Sequence, residues 1–422
     1  MNNNIKIGFA GLTHLGINSA VAAAAMKFDV ICYDPSAFIV QSLLLMRPHI
    51  KETNLIENLE KNKKRLYFTR DVQELSKCDI VYISQDVETN SNGTSDLTAL
   101  NKLIKNIIPE LKEDCLLVIL CQVPPGFCRG LDFDMNRLYY QVETLIFGRA
   151  IERAMYPERF IIGTNNPDTE LDKRFIYFLN SFKCPILKMN YESAELAKIS
   201  INLYLTASVT ITNTLAEVCE NIGSVWTEIV PALKLDKRIG PHAYLTPGLG
   251  ISGGNLERDL KTILKIGAKK KTDVSIIKAT IKNSNYRKDW LWRTLKNSIR
   301  IKKNTSIAIL GLVYKEGTSS TKNSPSLRLL SHLKNYKTRI YDPFVNKKDF
   351  PEYNWYDNVL ECIRGVNVVV LCTQIEEFRK IKIQDLLNKM DGNHIIDPFA
   401  LLNHEECMRA KFKIYTLGRE NA

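Results

Sequence analysis

The densest run of chemically useful residues lies at 236–259, DKRIGPHAYLTPGLGISGGNLERD. Gly248, Gly250, Gly253 and Gly254 carry no Cβ, so the backbone there can approach a bound molecule closely, and Arg238 and His242 flank them with donors. A second concentration stands near the start of the chain. Gly11, Thr13 and Gly16 occupy the three places of a G-x-G-x-x-G turn after the apolar run IKIGFAGL, with threonine in the middle place. In such a turn the first glycine permits the bend, the second lets the backbone reach a pyrophosphate, and the third allows helix and strand to pack closely. Threonine in the middle either pushes the pyrophosphate outward or contributes its hydroxyl. Asp34 closes the next apolar run, VICYDPS, where a carboxylate accepts from ribose hydroxyls and disfavours a 2′-phosphate. The chemistry expected is hydride transfer with NAD rather than NADP, with His14 inside the turn as a further candidate contact.

These groups need elements that hold them, and the two ends of the chain supply an echo. Residues 5–12, IKIGFAGL, and the later VICYDPS repeat as SIAILGL at 306–312 and TRIYDPF, ending at Asp34 and Asp342. Further apolar strands follow in each half, CDIVYIS and CLLVILCQV, then NVVVLCT and HIIDPF. Fully apolar strands alternating with helical stretches predict α/β architecture: two Rossmann-like, doubly wound parallel-sheet domains. Between them, ESAELAKISINLYLTASVTITNTLAEVCEN has no Gly or Pro and stops at Gly223, which predicts one long helix in a central spine. The expected domains are 1–190, 191–302 with the active-site loop 236–259, and 303–422.

Composition excludes several classes. With 422 residues, 45% hydrophobic and 25% charged, the chain suits two or three globular domains. No stretch is apolar for long enough to span a bilayer, and the N-terminus runs into a strand pattern without the zones of a secretion signal, so a cytoplasmic protein is expected. The 10 cysteines stand singly and read as reduced core thiols, and the six histidines show no metal-ligand spacing. The net charge of +12 comes from short dispersed lysine runs without interleaved aromatics, which fits solvated faces and a phosphate-attracting site better than nucleic acid.

The segment 236–259 resembles the active-site stretch of the UDP-glucose/GDP-mannose dehydrogenase family, whose pattern runs RIGP and then PGxGYGGSCFPKD. The likeness extends through VPPGF at 123–127, ELAKISINLYL at 195–205, ILGLVYKEGT with NSPS at 309–326, and IYDP at 340–343. It implies an NAD domain, a helical dimerisation spine, a C-terminal nucleotide-sugar domain, and oxidation of a primary alcohol to a carboxylate by two hydride transfers through a cysteine adduct. Residue by residue, it assigns catalytic roles to Lys198, Asn202, Asp259 and Glu143, and substrate contacts to Arg238, Tyr244, Gly250 and Lys315. Lys322 stands where the family has an arginine near the cofactor. The four-residue spacing of Lys198 and Asn202 places them on one helical face. Ile199, Leu203 and Val209 on the spine are candidates for a homodimer interface, with burial inside the chain as the alternative.

The departures from the family pattern fall together. Asn255 fills the cysteine position, or Leu256 with the register slid by one; Phe147 stands at the second glutamate, Gln122 at the threonine before VPPG, and Phe399 at the C-terminal arginine. Three outcomes stay open: a two-electron dehydrogenase stopping at an aldehyde or ketone; a four-electron enzyme using a hydrated aldehyde or a rescuing thiol such as Cys121 or Cys128; and a noncatalytic nucleotide-sugar-binding relative. RIGP leans toward UDP-sugars over GDP-sugars, and surface polysaccharide synthesis is the pathway the resemblance implies.

Overall fold

The computed structural model describes residues 5–90 and 92–420 and divides into two compact units, Met1–Ile201 and Asn202–Ala422. The first is built on strands β1 (Lys6–Ala10), β2 (Asp29–Tyr33), β3 (Leu66–Thr69) and β4 (Ile80–Ile83), a small ribbon β5 (Glu88–Thr89) and β6 (Ser95–Asp96), then β7 (Leu116–Ile119), β8 (Leu138–Gln141), β9 (Phe160–Thr164) and β10 (Ile186–Asn190). Apart from the ribbon they form one sheet in the order β10-β9-β8-β7-β4-β1-β2-β3. Because successive side chains point to opposite faces, each strand feeds two cores. Ile7, Phe9, Val30, Cys32, Ile80 and Tyr82 belong to one, and Ala10, Ile31, Tyr33, Val81 and Ile83 to the other. That is why these runs are apolar without alternation.

The sheet departs from the expected parallel arrangement at one junction: β8 pairs with β9 antiparallel, although β7 with β8 and β9 with β10 are parallel. The connection from β8 to β9 holds only the short helix Ala150–Met155, and the chain reverses there rather than crossing over.

The second unit opens within the long helix Tyr191–Ile222 and contains the helices Trp226–Leu235, Asn255–Lys270 and Ser275–Lys288. It ends in a parallel sheet of β11 (Ser306–Leu310), β12 (Lys337–Tyr341), β13 (Val368–Leu371), β14 (His394–Ile396) and β15 (Lys413–Tyr415), in the order β12-β11-β13-β14-β15. Leu249, Trp290, Leu291 and Leu295 share this sheet's core. Trp226 N–H donates to Gly418 O at 2.8 Å, and Gly418 N–H to Glu220 at 2.9 Å, tying the chain's last strand-and-turn to the spine.

The long helix runs unbroken for 32 residues and ends at Gly223, whose φ of +73° suits a residue without Cβ. Ile199 is buried within the chain, so it is not an exposed interface residue. The apolar stripe left in solvent is a different one, Tyr204, Ile211, Leu215, Val218 and Ile222. The loop expected to reach residue 259 stops at Gly254: Asn255 opens a 16-residue helix that carries Asp259 in its second turn. Among the described residues every cysteine is a free thiol, nine of them buried, no helix is long and apolar enough to cross a membrane, and no cluster of His, Cys, Asp and Glu could hold a metal.

Candidate active site

The glycine turn after β1 has the geometry its sequence calls for. Gly11 adopts φ +90°, and a Cβ on it would lie 2.9 Å from Gln85 N. A Cβ on Gly16 would lie 1.9 Å from Gly11 O, so only glycine lets the helix His14–Ala25 seat against the strand end. Thr13 precedes that helix, but its hydroxyl does not cap it: the oxygen donates to Ser84 O at 3.3 Å and accepts from Asp86 N–H at 2.9 Å. Asp34 is buried, and its carboxylate accepts from Leu12 N–H at 2.8 Å and Ser36 N–H at 2.9 Å. Its first task is therefore to brace the turn. Asp342 repeats that task in the second half, accepting from Leu312 and Val313 on one oxygen and Phe344 and Val345 on the other. His14 does not face solvent: its Nε2 lies 2.8 Å from Glu52, and its ring sits 4.1 Å from that of Phe147. The tight turn, the close helix packing and an acid at the end of β2 fit a dinucleotide.

Two polar pairs stand where chemistry was expected, one in each unit. In the first, Lys198 Nζ lies 3.1 Å from Glu143 Oε2, both side chains mostly buried, and Leu145 N–H donates to the other glutamate oxygen. In the second, Asn202 Nδ2 donates to Asp259 Oδ2 at 2.6 Å, and Arg258 Nε lies 3.8 Å from the other Asp259 oxygen. Asp259 is 1% exposed. One N–H of the Asn202 amide is thus spent on Asp259, and the amide has a second for an incoming oxygen. Asn255 is exposed at the start of its helix. Cys121 is buried with its thiol donating to Ile83 O, and burial pushes that thiol far up. Cys128 is pushed up by burial first and then by the charge of Glu195.

The remaining sequence-predicted residues are more dispersed. Arg238 is highly exposed and its guanidinium pairs with Asp236 at 2.6 Å. Tyr244 is exposed, and its carbonyl accepts from Thr212. Gly250, at φ +89°, backs onto the helix Ser275–Lys288, where a Cβ would meet Ser284 O at 2.5 Å. Lys315 and Lys322 are exposed, and Lys322 O accepts from Gly253 N–H.

Three residues that the sequence reading gave no role also stand close to these groups. Glu52 receives Gly148 and Ala150 N–H besides His14; burial works to raise its carboxyl, yet those bonds hold it below the ordinary value. Glu195 is buried and pins the 126–128 turn through Gly126 N–H at 2.5 Å and Cys128 N–H at 2.8 Å. Asp86 sits beside the glycine turn, just past β4. Its position after the strand that pairs with β1 is the only signal that could have flagged it.

Three domain profiles of one family match in order: the NAD binding domain at 5–179, the central domain at 192–286 and the UDP binding domain at 308–404. The chain belongs to the UDP-glucose/GDP-mannose dehydrogenase family. It is therefore an oxidoreductase, and NAD is its cofactor. A UDP-glucose 6-dehydrogenase of Rickettsia conorii is 28% identical over 438 residues, spanning 98% of this chain and 99% of the relative. The UDP-glucose 6-dehydrogenase TuaD of Bacillus subtilis is 25% identical, over 98% of this chain and 93% of the relative. Among solved structures, a UDP-D-ManNAc dehydrogenase of Pyrococcus horikoshii has the same fold, with a TM-score of 0.85 at 22% identity over 99% of this chain and 100% of the other. A UDP-glucose dehydrogenase of Pyrobaculum islandicum superposes at 0.84, also 22% identical, over 99% and 98%.

Proposed function

We propose that this chain removes one hydride and one proton from a single carbinol of a UDP-linked sugar, or of a GDP-linked one, and releases an aldehyde, or a ketone where the carbinol is secondary. What supports this reading is that the resemblance aligns Asn255, or Leu256 with the register slid by one, with the family's cysteine, and neither side chain is a nucleophile. A carboxamide is too weak a nucleophile to add to a carbonyl, so no covalent adduct forms from which a second hydride could leave. Two other features support it. Phe147, at the position of the second family glutamate, packs on His14 instead of offering a carboxylate to hydrolyse a thioester. Cys121 and Cys128 are buried, with their thiols held protonated, so neither suits the role of rescuing nucleophile.

NAD, when bound, accepts the hydride. Lys198, held by Glu143, and Asp259 manage the proton leaving the alcohol, directly or through a water, while Asn202 holds the oxygen. Gly11, Thr13, Gly16, His14, Asp34 and Lys322 serve the cofactor; Arg238, Tyr244, Gly250 and Lys315 serve the nucleotide-sugar, with Lys315 acting on the diphosphate as a point charge. We also propose a homodimer, supported by the exposed apolar stripe of the long helix.

The deciding experiment counts NADH formed per sugar consumed across a panel of UDP- and GDP-sugars. A ratio of one, with aldehyde or ketone accumulating, is expected. A ratio of two with recovered uronic acid would establish the four-electron reaction instead, and binding without NADH on the whole panel would mark a noncatalytic relative.

A further inference from the structure

The helix His14–Ala25 begins a dinucleotide site, where a diphosphate ordinarily meets the free N–H groups of the first turn. Nothing local caps this helix: Thr13 is extended, its hydroxyl is committed to Ser84 O and Asp86 N–H, and the first turn holds no acidic residue. An anion nonetheless stands there. Asp86 Oδ2 lies 3.4 Å from Leu15 N, and the Thr13 hydroxyl fixes the backbone of the same aspartate. Its charged neighbours are His14 and Glu143, and His14 is already engaged by Glu52. Here, then, the protein places its own carboxylate on a donor that the cofactor's phosphates would use.

We propose that Asp86 is an internal stand-in for the cofactor diphosphate, which must displace it to bind, so that Asp86 sets a deliberately weak affinity for NAD and NADH. The threonine at the middle turn position and the aspartate act together. Thr13 fills the space a second glycine would leave open, and its hydroxyl orients the Asp86 segment toward the helix start. Two anions cannot both occupy that seat, and removing one charge at a separation of several ångströms strengthens diphosphate binding by about tenfold or more.

This rests on the NAD reading, and the test separates the two. The full-length wild type, Asp86→Asn and Asp86→Ala are titrated with NADH, ADP-ribose and adenosine by calorimetry, with thermal melting to verify folding. Both variants are expected to bind NADH and ADP-ribose about tenfold more tightly while adenosine, which lacks the diphosphate, is unchanged. Added salt is expected to narrow the gap between wild type and variants, because it screens the repulsion. Unchanged or weaker NADH binding by folded variants overturns the proposal, as does equal tightening toward adenosine. If neither folded wild type nor variants bind NADH or adenosine, the NAD reading fails and the proposal with it.

Discussion

Asn255 and Phe147 are 108 positions apart in sequence, yet in the function proposed above both stand in for groups that serve the same half of a four-electron reaction, trapping the aldehyde and then hydrolysing the adduct. The pair predicts that chemistry can be restored in steps. Asn255→Cys alone is expected to give, on a primary-alcohol substrate, a burst with a second NADH and then a stalled covalent enzyme, detectable by intact-protein mass. Adding Phe147→Glu is expected to release that adduct and raise the steady ratio from one toward two. A double variant that still yields one NADH per sugar would show that the limit lies elsewhere than in these two side chains. Which residues matter was visible at this scale only through resemblance: Lys198 and Asn202 advertise themselves by helical spacing, but nothing local in the sequence says that Lys198 meets Glu143 or that Asn202 meets Asp259. Glu52 and Asp86 were invisible because each lies in an irregular segment, and folding alone brings it to His14 or Thr13.

At the scale of elements, the internal echo announced both sheets, since unbroken Val, Ile and Leu runs bounded by glycine turns leave little besides buried parallel strands. The echo extends to the hydrogen bonds: Asp34 and Asp342 each brace the backbone after the preceding glycine turn, a task that stands beside the cofactor contact proposed for Asp34. The antiparallel entry of β9 was hidden, because an apolar run carries no direction. The helix start at Asn255 was masked by the glycine pair before it. A third acid, Asp397, closes β14 in the same manner, accepting from Phe399 and Leu402 N–H, and burial raises it to about 6 despite those bonds. In the unfolded chain it ionises near 3.8, so between pH 4 and 6 the fold keeps a proton that the unfolded chain has released. Its contribution is fully present below about pH 4 and lost as pH rises past about 6, a change on the order of 2–3 kcal/mol. Denaturant titrations at several pH values should show the stability difference between wild type and Asp397→Asn shrinking across that window; a constant difference would mean the carboxyl is ionised throughout.

At the scale of the whole molecule, the long helix spends its apolar residues on two different tasks. Ile199 and Ala194 are buried within the chain, whereas Tyr204, Ile211, Leu215, Val218 and Ile222 remain 41–79% exposed. Their spacings of seven, four, three and four residues keep them on one face, and a helix seldom leaves such a stripe in water unless a second surface covers it. A two-fold pairing of the same stripe on two copies needs no other partner and closes on itself, which is the reason for preferring a homodimer over a chance patch. Charges on that face should then abolish association without unfolding the chain, since none of these side chains belongs to the core. Ile211→Asp with Val218→Lys is expected to halve the mass seen by light scattering at micromolar concentration, with an unchanged far-ultraviolet dichroism spectrum. A wild type that is monomeric across that range, or a doubly charged variant that remains dimeric, would mean that this face does not pair, and the apolar stripe would then require another explanation.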